Sequence, residues 1–136
     1  DTGEVTTFDT KVVRQVLSKE TADKVASMME SVVYEGSGGR AKVEGYSIGG
    51  KTGTSEPIWG TNDGYIASFV AISPVENTKV VLLVILNNPD SDLHNGGQIA
   101  APTASKMLSE ILPYMGVESG NTDDGNNSNM NINDLY

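Results

Sequence analysis

Residues Val80-Val81-Leu82-Leu83-Val84-Ile85-Leu86 are apolar without interruption, and no other stretch of the chain limits its fold so severely. The run lies between Lys79 and Asn87-Asn88-Pro89-Asp90 and reads as a strand over 79–87. Polar residues do not alternate with apolar ones, so both faces of this strand are expected to be buried. That predicts a central position in a sheet with covering layers.

The neighbouring text supplies partners for it. Residues 65–73 form a second apolar stretch, and Pro74 to Thr78 is short and turn-like, so the two strands are expected to pair antiparallel as a hairpin. A further strand is predicted over 46–54. Ahead of the strands, Ser18 is placed to cap a helix over 19–34 whose buried stripe is Ala22, Val25, Ala26, Met29, Val32 and Val33. Val12, Val13, Val16 and Leu17 form an apolar lead-in, and Met28-Met29 reads as core filling rather than a ligand site. Gly36, Gly38 and Gly39 end the helix and begin a loop. A last helix, from Gln98 or Ala100 to Leu112, presents Ala101, Ala104, Met107, Leu108 and Ile111 on one side, with Pro102 in its first turn. The expected fold is α+β, an antiparallel sheet flanked by helices, over residues 1–117. Residues 118–136 are rich in Asn, Asp, Ser and Gly and read as a flexible polar tail.

Chemistry concentrates in Gly49-Gly50-Lys51-Thr52-Gly53-Thr54-Ser55-Glu56. On an extended chain Thr52 and Thr54 share one face while Lys51 takes the other. Gly53 lets a ligand lie against the main chain. Two hydroxyls suit a carboxylate, the ammonium sets the local field, and a strand-edge N–H suits a developing oxyanion. A rival motif overlaps these residues, since Gly45-Tyr46-Ser47-Ile48-Gly49-Gly50-Lys51-Thr52 satisfies the Walker A pattern. A phosphate-binding loop must follow a buried strand and open into a helix. Here a loop-like, partly charged segment precedes the motif, while Gly53, Pro57 and Gly60 follow it, and nucleotide binding is disfavoured.

With its lead-in loop Gly36-Ser37-Gly38-Gly39-Arg40-Ala41, the Lys51-Thr52-Gly53 run resembles the third active-site motif of penicillin-binding transpeptidases. The likeness continues through 12–33 upstream, then through 65–71, 80–89 and 96–117. The chain is similar to the C-terminal part of a class B, high-molecular-mass penicillin-binding protein of the cell-division or sporulation type. The resemblance implies a partial serine β-lactamase-like fold. It also implies attack by a serine on the D-Ala-D-Ala carbonyl of a peptidoglycan stem peptide, giving an acyl-enzyme that an acceptor amine resolves. Lys51 would support the proton network, Thr52 and Thr54 would hold the carboxylate of a substrate or β-lactam against Gly53, and the Thr54 backbone N–H would supply half the oxyanion hole. Loss of such a donor typically costs ~3 kcal/mol of transition-state stabilisation.

The chain departs from the family in one decisive respect: it has no Ser-x-x-Lys. The nearest approaches, Thr21 to Lys24 and Thr103 to Lys106, begin with Thr in helix-like stretches. Ser119-Gly120-Asn121 has the form Ser-x-Asn but follows the Lys-Thr-Gly run, where the family places that element before it. The polypeptide is therefore expected to be one wall of a site, inactive alone, needing the remaining half of the domain. Its opening, Asp1-Thr2-Gly3-Glu4, lacks an initiator Met and is read as a truncation. Any membrane anchor is expected to precede residue 1, with the parent on the extracytoplasmic face of a bacterial membrane. An unpaired apolar strand is expected to drive self-association. A non-catalytic binding or interaction module with this fold is the alternative.

Composition removes other classes. A net charge of -9 offers no basic stripe for nucleic acid, and the lack of Cys excludes disulfides and thiolate metal sites. No cofactor or metal site is expected. His94 reads as a solvated loop residue, and Asp90 with Asp92 as an incomplete calcium-loop fragment. Arg40 reads as serving structure or solubility. Trp59 and Tyr65 either line the mouth of a groove or pack against the loop.

Overall fold

A computed structural model describes residues 3, 5–9, 11–56 and 64–120. Helix α1 (Lys19–Tyr34) is followed by a 3-10 turn at Gly39–Ala41. Strands β1 (Gly49–Ser55), β2 (Ile66–Ser73) and β3 (Val80–Asn87) come next, then helix α2 (Gly96–Tyr114). The strands form one antiparallel sheet in the order β1-β2-β3, so the hairpin expected after Ser73 is present.

Register decides what each face carries. Thr52 pairs with Phe69 and Phe69 with Val84; Thr54 pairs with Ala67 and Ala67 with Leu86. Because side chains alternate, these residues share one face, together with Ala71 and Leu82. Phe69, Ala71 and Val84 are buried there against Ala100, Ala101, Ala104, Leu108 and Leu112 of α2, and Val33, Ala41, Val43 and Ile48 complete the core. Each fully buried side chain of Leu or Phe size contributes roughly 1.5–3 kcal/mol of transfer free energy.

The other face is largely uncovered, which corrects the reading of 80–86. Among the described residues β3 is an edge strand, and Val81, Leu83 and Ile85 are 69%, 59% and 56% exposed. The missing alternation did signal two apolar faces, but no described segment covers the second. Helix α1 tells the same story. Ser18 caps it by accepting the Thr21 N–H at 3.1 Å, as expected. Its stripe is buried only toward the C-terminal end, where Val33 is in the core and Met29 and Glu30 lie against Gly49. Ala22 and Val25 are exposed, as are Val12, Val13, Val16 and Leu17.

Two boundaries also move. β1 starts at Gly49 rather than Tyr46, because 43–46 forms a turn with a Val43–Tyr46 bridge and Gly45 at a φ of 80°. α2 starts at Gly96, which puts Pro102 inside the helix rather than in its first turn, and Met107 is exposed. The segment before β1 is fastened at both sides. Buried Ser73 donates its hydroxyl to the Ser47 carbonyl at 2.9 Å, and the Ser47 hydroxyl donates to Glu76 and accepts the Val75 N–H, both at 3.0 Å. The Gly120 N–H donates to the Gly45 carbonyl at 2.9 Å, and the Tyr46 hydroxyl donates to the Val117 carbonyl at 3.3 Å. Among the described residues no helix is long and apolar enough to cross a membrane.

Where α1 meets β1, burial first and the Glu76 charge second raise the Glu30 carboxyl above its ordinary 4.5. Burial, and then Glu30, raise the Tyr34 phenol, which stays protonated and donates to the Tyr46 carbonyl at 3.1 Å. A raised carboxyl binds its proton in the folded state at a pH where the unfolded chain has released it. Glu30 therefore costs stability as pH rises through the window above 4.5. Glu30→Gln is expected to raise Tm at pH 7 and to change it little below pH ~4, where the carboxyl is protonated in both states; an equal gain at both pH values would contradict this. Two leucines provide a second check by chemical denaturation of the isolated chain at a dilution where it is monomeric. Leu108→Ala should cost about 2–5 kcal/mol, whereas Leu83→Ala should change stability by no more than about 0.5 kcal/mol.

Candidate active site

Residues Lys51 to Ser55 continue as strand with no turn into a helix. A Walker A loop opens directly into a helix, whereas here the motif residues run on as strand to Ser55. Thr52 and Thr54 lie on the α2 face of β1, and Lys51, paired with Val70, lies on the other, as alternation predicts. β2 occupies one edge of β1. No described strand occupies the other, so a ligand entering there meets Lys51 from one side of the sheet and the threonines from the opposite side.

Each side chain has identifiable support. The Thr54 hydroxyl oxygen accepts the N–H of Gly96, the first residue of α2, at 3.2 Å. The Thr52 and Ser37 hydroxyl oxygens are 3.3 Å apart, which brings the glycine-rich loop onto the strand. Asn95 caps α2 by accepting the Gly97 N–H at 2.9 Å. Lys51 is exposed, and its ammonium donates to the Thr52 carbonyl at 2.7 Å. At Gly53 the space a Cβ would take is held by the Ser68 hydroxyl, 2.5 Å away. On that face the bare backbone already accommodates a neighbour.

Next to Thr52 lies an open cleft of about 320 Å³, lined by Gly36 and Ser37 of the loop, Gly39 and Arg40 of the 3-10 turn, the cap residue Asn95, and Gly97 and Gln98 of α2. It adjoins Thr52 through Ser37 but does not contain Lys51 or Thr54. We therefore take the open edge of β1, and not this cleft, as the candidate site. Of the lining residues, Arg40 donates from Nη1 to the Gln98 carbonyl at 3.2 Å.

Several residues singled out in the sequence fall elsewhere. Tyr65 stacks on His94, with ring centroids 4.1 Å apart and planes 16° from parallel, so both pack in the loop beside β2 and α2. Trp59 lies outside the described residues. Ser119 sits against Gly45, before the start of β1, and Asn121 is outside the described residues. Among the described residues no group of three or more His, Cys, Asp or Glu side chains is placed to hold a metal ion, Asp90 and Asp92 included. Sequence reasoning missed Ser37 and Gly96 as supports. Ser37 could have been found as a hydroxyl flanked by Gly36 and Gly38. Gly96-Gly97 could have been found as two poor helix formers opening a helix.

Comparison with known proteins bears directly on this strand. The Transpeptidase family, described as "Penicillin binding protein transpeptidase domain", matches residues 3–109. The chain is 38% identical over 111 residues to Stage V sporulation protein D of Bacillus subtilis (strain 168), covering 77% of this chain and 17% of that protein. It is 30% identical over 124 residues to peptidoglycan D,D-transpeptidase FtsI of Escherichia coli (strain K12), covering 88% of this chain and 21% of that protein. The apo structure of the TP domain of Burkholderia pseudomallei penicillin-binding protein 3 superposes with a TM-score of 0.69 at 35% identity, covering 78% of this chain and 33% of that one. The chain thus spans about a fifth of the length of these curated relatives and about a third of the solved domain. The three-stranded sheet and its helices are accordingly part of a serine β-lactamase-like fold. With a match reaching from residue 3 to residue 109, this chain belongs to the penicillin-binding protein transpeptidase family, among its class B members.

Proposed function

We propose that this chain is the Lys-Thr-Gly wall of a peptidoglycan D,D-transpeptidase site, with the nucleophilic serine supplied by residues outside it. The observation that carries the reading is the edge of β1 that no described strand occupies, flanked by an ammonium on one side and two supported hydroxyls on the other. A stem peptide or β-lactam laid along that edge would pair with its backbone. In this reading Thr52 and Thr54 bind the terminal carboxylate, and Gly53 keeps the main chain accessible. Lys51 supplies field and proton relay, and the Thr54 N–H faces the oxyanion. No cofactor or metal is called for, because acyl transfer to serine needs only a base and oxyanion donors.

The same reading assigns the uncovered side chains Val81, Leu83 and Ile85 to contact with the remaining half of the domain. It places the parent on the extracytoplasmic face of a bacterial membrane, held by an anchor outside these residues. Residues 1–117 would be the domain portion and 118–136 a polar tail. Left alone, an apolar edge strand associates with a second copy.

Two experiments test these statements. A fluorescent penicillin should label the full-length protein covalently on a denaturing gel and leave the isolated chain unlabelled. Labelling of the isolated chain would overturn the missing nucleophile; a full-length protein that stays unlabelled would favour the non-catalytic module. By light scattering at high concentration the isolated chain should be a dimer or larger, and the double variant Leu83→Lys, Ile85→Lys should be monomeric. A clean monomer before substitution would refute the edge-association account.

A further inference from the structure

The geometry points to the first turn of α2, clamped by Arg40, as the element that orients the Thr54 hydroxyl toward a ligand carboxylate. This rests on the function proposed above and adds positioning residues to it. A threonine hydroxyl has one O–H to donate and two lone pairs. The Gly96 N–H occupies a lone pair at 3.2 Å, and polarisation by that bond makes the remaining O–H a stronger donor. Gly96 is the first residue of α2, so its N–H carries the positive end of the helix dipole. The field of the helix terminus therefore reaches a ligand through the side chain of Thr54, which is exposed.

Two glycines make that contact possible. A Cβ at Gly96 would collide with the carbonyl oxygens of Ser68 and Gly53, and one at Gly97 with the Ser37 carbonyl oxygen. Glycine is a far poorer helix former than alanine. That two of them open α2 follows from how closely this turn approaches the strand.

Arg40 holds the turn in place for a reason visible in the backbone. Pro102 lies inside α2 and has no N–H for the carbonyl four residues earlier, which is that of Gln98. Arg40 Nη1 donates to this orphaned carbonyl at 3.2 Å. The 3-10 turn carrying Arg40 follows directly on the loop whose Ser37 reaches Thr52. Loop, helix terminus and strand are thereby joined around the two threonines. Arg40 touches no reacting atom in this account; it acts through Gln98 and Gly96.

The test uses the full-length protein and compares acylation by benzylpenicillin with acylation by its methyl ester, which lacks the carboxylate charge. Arg40→Ala should lower the acid-to-ester rate ratio about tenfold, the loss associated with one hydrogen bond to a charged group. Arg40→Lys, which keeps a cationic donor, should retain most of the ratio. Pro102→Ala restores a backbone N–H to the Gln98 carbonyl, so adding it to Arg40→Ala should recover most of the loss. Equal slowing of acid and ester would reduce Arg40 to a structural role and overturn the inference. So would a loss that persists unchanged with Pro102→Ala. If the unsubstituted protein reacts with neither compound, the transpeptidase reading itself falls and takes the inference with it.

Discussion

Packing of α2 on one face of the sheet is the contact on which everything else depends, because the same face carries both the core and the threonines. Phe69 and Ala67 pair with Thr52 and Thr54, and the core cluster that holds Phe69 includes five residues of the helix whose first N–H reaches Thr54. The Thr54 hydroxyl is therefore held against a packed core, and the Thr52 hydroxyl by that core together with Ser37 of the glycine-rich loop. A site built on a strand backed in this way keeps its geometry when a ligand arrives, which is what electrostatic preorganisation requires.

The opposite face behaves differently. Val81, Leu83 and Ile85 lie outward on β3, and the first turns of α1 stand clear of the sheet. Lys51 is on this side, exposed, with its ammonium turned to a neighbouring carbonyl. One half of the candidate site is thus fixed by contacts within the chain. The other half presents an exposed ammonium that donates to the Thr52 carbonyl, on a chain that spans about a third of a solved transpeptidase domain.

Much of this was legible in the sequence because it follows from local rules. Ser18 and the 3.6-residue stripe set α1, and Pro74 to Thr78 set the hairpin. Alternation alone separated Lys51 from Thr52 and Thr54, and Pro57 with its neighbouring glycines argued against a P-loop helix. What was not legible depended on tertiary partners. The uninterrupted run at 80–86 correctly announced two apolar faces, yet sequence cannot say whether a chain supplies both covers. Pro102 suggested a helix start by its usual preference for the first turn. The actual start at Gly96-Gly97, made of poor helix formers, is set by closeness to β1 and by the Asn95 cap. For Arg40 the sequence left structure and solubility both open, and its partner was not legible, because that partner is a carbonyl freed by a proline far along the chain.

The central claim is that residues Gly49–Ser55 form an extended strand paired with β2 on one side and, among the described residues, open on the other. Residue-resolved amide hydrogen exchange on the full-length protein without ligand tests it most directly. The account predicts alternating protection along Lys51 to Ser55, with amides aimed at β2 slow to exchange and those aimed at the open edge fast. Uniform protection beginning at Thr52, as a helix would give, or protection of both edges in the absence of ligand, would contradict it.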